Sequence, residues 1–355
     1  MSSVRAGPSD DGGDGAGAPA TPGDPMKTPL AAVAAAAALG GALTGYLLAP
    51  STGDAAARPV AAPIAYPSGT LHVALNMPPG DRAKAAALGY NLFDTEPNEG
   101  DIASLPRGGR ALIWVGNTTC GSFAPDDVSE FAGLVKRFAD DDRVYGWYLS
   151  DEPNPDECPD VVGKIRERAD VVHRYAPRQK AFASLTDWEM EPLKPSATHL
   201  DLVGLDPYPC RAEGGRCDLT AIDKMLGRAR RADIPGRMVV PVFQTFGQSC
   251  NAGDHNWRLP AAAEMRSMLA RWDRFVPRPA FDISYSWGRQ DAWACPSLAD
   301  ADGRNGMPDL HGVMKRHNTR RDGPGLPARS PKPATSAEPE SPPSTPPPSG
   351  CPGTP

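Results

Sequence analysis

The sequence predicts a single-domain (β/α)8 barrel, an α/β fold in which eight parallel strands are each followed by a helix. Three observations lead there. From Thr70 onward, short apolar runs of strand length alternate with stretches whose apolar residues recur at helical spacing. The alternation repeats eight times over roughly 250 residues, the ordinary span of such a barrel. The segments that follow the strands collect carboxylates, amides, aromatic rings and cysteines, as one functional rim would. A doubly wound open sheet is the rival, but no glycine-rich dinucleotide fingerprint supports it.

The first strand is expected at Leu71 to Asn76, with Leu71, Val73 and Leu75 on one face and His72, Ala74 and Asn76 on the other. Tyr90 to Asp94 and Ala111 to Val115 follow. The fourth strand, Val144 to Ser150, runs into Asp151, Glu152 and Pro153. Lys180 to Leu185, Leu200 to Asp206, Met238 to Phe246 and Phe281 to Trp287 complete the set. Helices are expected around Val128 to Phe138, Val161 to Tyr175, Leu219 to Ala232, Pro260 to Phe275 and Pro308 to His317. The second and fifth helices are poorly written, which leaves room for an irregular or seven-helix variant.

The domain, residues 66–318, is flanked by segments of different character. Residues 1–25 are Gly, Ala, Pro, Ser and Asp with almost nothing to bury, and read as disorder or a misassigned start. From Met26, a lysine, the apolar run Leu30 to Ala49 and the small residues Ala55 to Ala57 have the layout of a secretory signal peptide within residues 26–57. An uncleaved membrane anchor is the alternative. Residues 58–65 form a linker, and the Pro-, Ser- and Thr-rich residues 319–355 read as a disordered tail. On either reading the domain lies outside the cytoplasm, secreted or anchored.

Cysteine placement points to the same compartment. Six of the seven cysteines, Cys120, Cys158, Cys210, Cys217, Cys250 and Cys295, fall in segments after a strand, which suits disulfides that staple loops. Sequence proximity pairs Cys210 with Cys217; neighbouring loops then pair Cys120 with Cys158 and Cys250 with Cys295. Cys351 is left over in the tail. No Cys-x-x-Cys or His-x-x-x-His pattern suggests zinc, and no metal or cofactor is expected. With a formal net charge of -6 there is no electrostatic case for nucleic acid, and membrane contact is expected only through an uncleaved N-terminal segment. A monomer is expected.

In a barrel, the C-terminal strand ends form one surface. They read Asn76, Asp94, Asn117, Asp151 with Glu152, Ser184, Asp206 with Tyr208, Gln244 and Trp287. Amides and acids hydrogen-bond hydroxyls, and aromatic faces cover the apolar side of a sugar ring, so a carbohydrate substrate or ligand is expected. Pro153 disfavours helix at Glu152 and predicts extended backbone there. Alternation would then turn one acid inward and leave the other to brace the rim. His72 reads as a satisfied core histidine. His255 in the loop after strand seven could line a subsite or sit in solvent, and Asp140 to Asp142 read as a solvated turn. Asp300 and Asp302 lack the spacing of an EF-hand.

These residues carry a resemblance. The acid pair ending strand four, the run Leu205-Asp206-Pro207-Tyr208-Pro209 on strand six and Trp287 ending strand eight resemble the clan A glycoside hydrolases. More closely, they resemble glycoside-hydrolase-like barrels with Asp-Glu-Pro at strand four. The likeness covers roughly Ala65 to His317. It implies that Glu152 is the general acid/base, and that Asn76, Asp94, Asn117, Asp151, Tyr208, Gln244 and Trp287 are candidates for substrate binding. In the family Asn usually precedes the acid, where this chain has Asp151; the added negative charge would raise the pKa of Glu152. The family's nucleophile is a Glu ending strand seven, where this chain has Gln244, so the standard retaining pair is missing. Three outcomes follow: Asp206 supplies the second carboxylate, the barrel binds carbohydrate without cutting it, or the domain is an extracellular interaction module. An inverting pair needs carboxyls about 6.5 to 9.5 Å apart and a retaining pair about 5 to 5.5 Å.

Overall fold

The computed structural model describes residues 69–250 and 252–320. The expected signal peptide or anchor, the tail and Cys351 lie outside the described residues. Eight parallel strands form one sheet in the order β1-β8-β7-β6-β5-β4-β3-β2, a nearly closed (β/α)8 barrel. The strands are β1 (Leu71–Ala74), β2 (Leu92–Thr95), β3 (Arg110–Thr118), β4 (Val144–Asp151), β5 (Lys180–Leu185), β6 (Leu202–Leu205), β7 (Val239–Gln244) and β8 (Phe281–Tyr285). The helices are α1 (Arg82–Ala86), α2 (Glu99–Ala103), α3 (Val128–Phe138), α4 (Val161–Tyr175), α5 (Pro195–Thr198), α6 (Thr220–Arg231), α7 (Ala262–Phe275) and α8 (Leu310–Asn318).

The second and fifth helices are short, as their weak patterning predicts, and α1 is equally short. Pro195 opens α5, and His199 ends it in the left-handed region at φ 57°. Several strands stop earlier than apolar alternation suggests. β1 ends at Ala74 because Asn76, at φ 58°, leaves the extended region. α3 begins where it does because Asp127 accepts from the backbone N–H of Ser129 (2.8 Å) and Glu130 (2.9 Å).

Two apolar layers hold the fold. Inward-facing Val73, Leu92, Tyr148, Phe182, Val242 and Phe281 fill the barrel, with Phe182 and Phe281 edge to face at 5.0 Å. Outward-facing residues such as Trp147 and Leu149 pack under the helices, and Trp147 meets Phe131 of α3 at 5.7 Å. No regular ladder joins β1 to β2. Asn91 closes that seam through side chain and backbone: its Oδ1 accepts from the His72 N–H (2.7 Å), while its N–H donates to the His72 carbonyl (3.1 Å). At its upper end Asp94 Oδ2 accepts from the Asn76 N–H (2.6 Å).

The three disulfides pair as expected, Cys120–Cys158, Cys210–Cys217 and Cys250–Cys295, all in loops on the C-terminal side of the strands. Gly116 is required where β3 bulges against β4, since a Cβ there would collide with the Leu149 carbonyl. The Asp140–Asp142 turn sits at the opposite end of the barrel, where Arg178 pairs with Asp142 (3.2 Å) and Arg143 with Asp141 (2.6 Å). Among the described residues no helix is long and apolar enough to cross a membrane.

Candidate active site

The acids at the end of β4 do not follow strand alternation. Glu152 adopts φ 46°, in the left-handed region, instead of the extended backbone that a following proline favours. Its N–H donates to the Ser184 carbonyl at the end of β5 (2.9 Å), which fixes this turn. Strain of this kind costs on the order of 1–3 kcal/mol and survives only where its surroundings impose it. The consequence is that both acids face the cleft. Asp151 lines a central cavity of about 240 Å³ and a larger one of about 840 Å³ beside it, and Glu152 lines the central one.

Asp206, just past β6, lines the central cavity with Glu152 and is 3 % exposed. One carboxyl oxygen accepts from the Ser184 hydroxyl (3.3 Å), whereas Oδ1 is buried with no donor aimed at it. An ionised oxygen left that way would cost several kcal/mol. That cost is avoided when Asp206 is protonated, the state that its burial and the neighbouring Glu152 charge favour. Burial, then the Glu152 charge, raises Asp206 well above the usual carboxylate range. Burial, then the Asp151 charge, raises Glu152 to about 7, opposed by hydrogen bonds from Asp206 and Thr186. The two carboxyls are therefore neighbours on the wall of one cavity, each shifting the other's proton affinity.

Asp151 is held differently. The Tyr148 hydroxyl donates to its Oδ1 at 2.6 Å, partly offsetting the burial that raises its pKa. Tyr148, Tyr208 and Tyr285 ring the acids, and burial raises all three hydroxyls. Tyr208 and Tyr285 stack at 5.8 Å with an interplanar angle of 29°.

Of the other residues singled out by sequence, Asn76 and Asp94 line the large cavity, and Tyr208 lines the central one. Burial raises Asp94 to about 6. Asn117, Gln244 and Trp287 are turned away from the cleft. Asn117 accepts from the Ser150 hydroxyl (2.5 Å) and donates to the Thr119 carbonyl (3.1 Å), bracing β3 against β4. Gln244 is fully buried: its Oε1 accepts from the Cys210 N–H (2.8 Å), and its Nε2 donates to the carbonyls of Cys210 (3.1 Å) and Arg258 (3.0 Å). The amide therefore bridges two loops, which a carboxylate lacking donors could not do. Trp287 is also fully buried, donates from Nε1 to Asp81 (2.8 Å) and stacks on His311. His255 binds the Gln248 carbonyl through Nδ1 (2.5 Å), away from the acids.

Sequence reasoning missed the exposed aromatic. Trp293, two residues before Cys295, is 58 % exposed and lines the central cavity with Trp257 and Gln290. Its position in a loop pinned by the Cys250–Cys295 bond was the available signal. Tyr148 was readable too, three residues before Asp151 on the inward face of β4.

Among the described residues one group places metal-type ligands together: His72, Asp282 and His317, whose ligand atoms lie within 4.8 Å of one another. It sits at the opposite end of the barrel from the acids. His72 Nδ1 meets Asp282 Oδ1 (2.9 Å), His317 Nε2 meets Asp282 Oδ2 (2.8 Å), and Arg320 donates to His317 Nδ1 (2.9 Å). Every one of these contacts is a hydrogen bond between groups already present, with Arg320 donating to His317 Nδ1. The group works as a clasp between β1, β8 and α8. Asp300 and Asp302 are held by Arg289 (2.6 Å) and Arg304 (3.1 Å).

No family model matches the chain, and a search of curated proteins gives no match. Among solved structures the chain is similar to the apo β-glucuronidase of Ruminococcus gnavus, at 13% identity and a TM-score of 0.47, over 71% of this chain and 50% of that one. It is also similar to a β-glucuronidase of Lactobacillus rhamnosus, at 13% identity and a TM-score of 0.49, again over 71% and 50%. The same Ruminococcus gnavus enzyme in complex with D-glucuronic acid gives 13% identity and a TM-score of 0.46, over 71% and 49%. The chain spans about half the length of these solved structures.

Proposed function

We propose that this protein is an extracytoplasmic glycoside hydrolase that cleaves a poly- or oligosaccharide by general acid/base catalysis, with Glu152 as the acid. The observation that carries the reading is the Glu152–Asp206 pair, neighbouring carboxyls whose proton affinities are both raised in a cleft whose rim exposes Trp293. Burying two carboxyls side by side is costly, and groups held out of their ordinary range in a cleft mark chemistry more often than packing. The three loop disulfides support an oxidising, extracytoplasmic setting.

Glu152 at about 7 keeps its proton in mildly acidic to neutral solution and can give it to a glycosidic oxygen as the C–O bond breaks. Asp206 is a positioning residue that tempers the proton affinity of Glu152 against the burial and the Asp151 charge that raise it. Asp151, oriented by Tyr148, is the remaining carboxylate on the cleft wall. In this mechanism water adds to the anomeric carbon and its proton passes to Asp151, so no covalent glycosyl-enzyme is formed and the strand-seven carboxylate is not required.

The test is release of reducing sugar from a polysaccharide panel by the purified protein and by Glu152→Gln, Asp206→Asn and Asp151→Asn. Wild-type release that falls at least about a hundredfold in Glu152→Gln, within the range assigned to acid/base groups, supports the reading. If all four proteins bind one glycan and none releases product, the hydrolase is excluded and the barrel is a carbohydrate-binding module.

A further inference from the structure

The central cavity does not end at the acids. On one side it shares Leu75, Thr118, Tyr148, Asp151, Tyr285 and Gln290 with the cavity of about 840 Å³ above β1, β2 and β3. On the other it shares Asp206, Tyr208 and Trp257 with a cavity of about 270 Å³ beside α6. Glu152 lines the middle one of the three. A site that trims single sugars from a chain end closes off beyond the bond it cuts. Here a ligand reaching Glu152 from either side meets a further cavity, and the larger one alone falls within the range of about 300–1,000 Å³ that holds a drug-sized ligand.

The charge of the large cavity limits what can enter. It is lined by Asp94, Glu96, Asp101 and Asp151. Among the described residues lining it, Arg82 is the one cation, and its guanidinium is committed to Asp101 Oδ1 (2.7 Å) and Ser104 Oγ (2.7 Å). A uronic acid or sulfated sugar placed there would face uncompensated carboxylates and no available guanidinium or ammonium group, and like charge at close range is excluded. Hydroxyls and amines, by contrast, can donate to these carboxylates. Trp293 adds a flat apolar face at the central cavity, fixed by its own N–H to the Gln290 carbonyl (3.0 Å) and by Gln248 Nε2 to its carbonyl (3.3 Å).

We infer that the cleft is a through-groove that holds an internal stretch of a linear glycan, free of acidic groups where it crosses the large cavity, with Glu152 in the middle of the bound segment and Trp293 as a stacking platform; the cavity beside α6, lined by Arg211, Lys224 and Arg228, carries no such restriction. The inference rests on the carbohydrate reading of the cleft given above and adds the mode of attack and the class of chain.

The experiment titrates the full chain carrying Glu152→Gln, with Glu152→Ala as a second inactive form, by calorimetry. The ligands are cello-, xylo-, manno- and chitosan oligosaccharides and oligogalacturonides, each from disaccharide to hexasaccharide. In parallel, the wild-type products from the matching polymers are sized. The expected result is affinity that rises about tenfold or more with length in one non-acidic series, a loss of about tenfold at hexasaccharide length in Trp293→Ala, no binding of oligogalacturonides, and wild-type products that are oligosaccharides. Affinity that is flat beyond the disaccharide, or tightest for oligogalacturonides, with wild type releasing single sugars, overturns this inference and leaves the hydrolase intact. Length-dependent binding without cleavage keeps the groove and removes the hydrolase. If no series binds and none is cut, both readings fail.

Discussion

Replacing Glu152 by Gln should make the protein more stable at alkaline pH and little different at acidic pH. Glu152 ionises near 4.5 in an unfolded chain and at about 7 in the fold, mainly because it is buried and secondly because Asp151 lies beside it. Below 4.5 both states are protonated and the group has no pH-linked effect. Between 4.5 and 7 the unfolded chain releases the proton while the fold retains it, so stability falls by about 1.36 kcal/mol for each pH unit and levels off above 7. The cumulative loss is about 3 kcal/mol. The amide introduced by Glu152→Gln keeps an acceptor for the Asp206 hydroxyl and removes the charge that also raises Asp206, so both changes favour the variant at high pH. The assay is urea unfolding of both proteins, disulfides intact, at pH 4, 5, 6, 7 and 8. The difference should grow from near zero at pH 4 to about 3 kcal/mol at pH 8, an amount large against the usual stability of a domain. Parallel stability curves, with a difference independent of pH, would refute the claim that Glu152 is held out of its ordinary range.

The remaining predictions concern its neighbours. Tyr148→Phe removes the hydroxyl that donates to Asp151, so the acidic limb of the pH–rate profile should move upward while the alkaline limb, set by Glu152, stays in place; an unmoved acidic limb would separate Asp151 from catalysis. Trp287→Ala should cost about 3–5 kcal/mol in urea unfolding, as for other buried aromatics, and variants that still fold should retain glycan affinity; normal stability with lost binding would place Trp287 in the cleft after all. His72 and His317 hold Asp282 well below the usual carboxylate range despite its burial, so its contribution to stability is present above about pH 4, the unfolded value, and is lost as pH falls below it. Asp282→Asn should lack that acid limb, which unfolding between pH 2 and 5 would reveal.

The eightfold alternation was legible because period-two and helical apolar patterns are set by which face is buried, and burial dominates in a barrel with two packed layers. The disulfides were legible because the cysteines avoid every element, so sequence proximity selected Cys210–Cys217 and loop adjacency the other two pairs. Strand-end counting was less informative about direction. Gln244, Asn117 and Trp287 stand at rim positions, yet each makes hydrogen bonds beneath the rim that no one-dimensional pattern encodes. The conformation of Glu152 was hidden for a related reason: a tertiary hydrogen bond to the Ser184 carbonyl overrides the local preference that Pro153 imposes. The pairing of Glu152 with Asp206 depends on the chain folding back over a separation of 54 residues, as the numbering of the two acids shows.

The open ladder between β1 and β2 bears on how the molecule comes to exist. β1 forms its regular ladder with β8, so that edge waits for Asp282, 210 residues beyond His72, before it is paired. Until then the β8-facing edge of β1 is open and can recruit other chains, even though His72 is already bonded to Asn91 on its other edge, and the β1–β8 contact is among the most distant in the domain, the kind that slows folding. The groove inherits this timing. Its large cavity stands on the β1–β2 seam and its central one leans on Tyr285 of β8. A fragment ending before Phe281 therefore lacks Tyr285, which lines both the large and the central cavity.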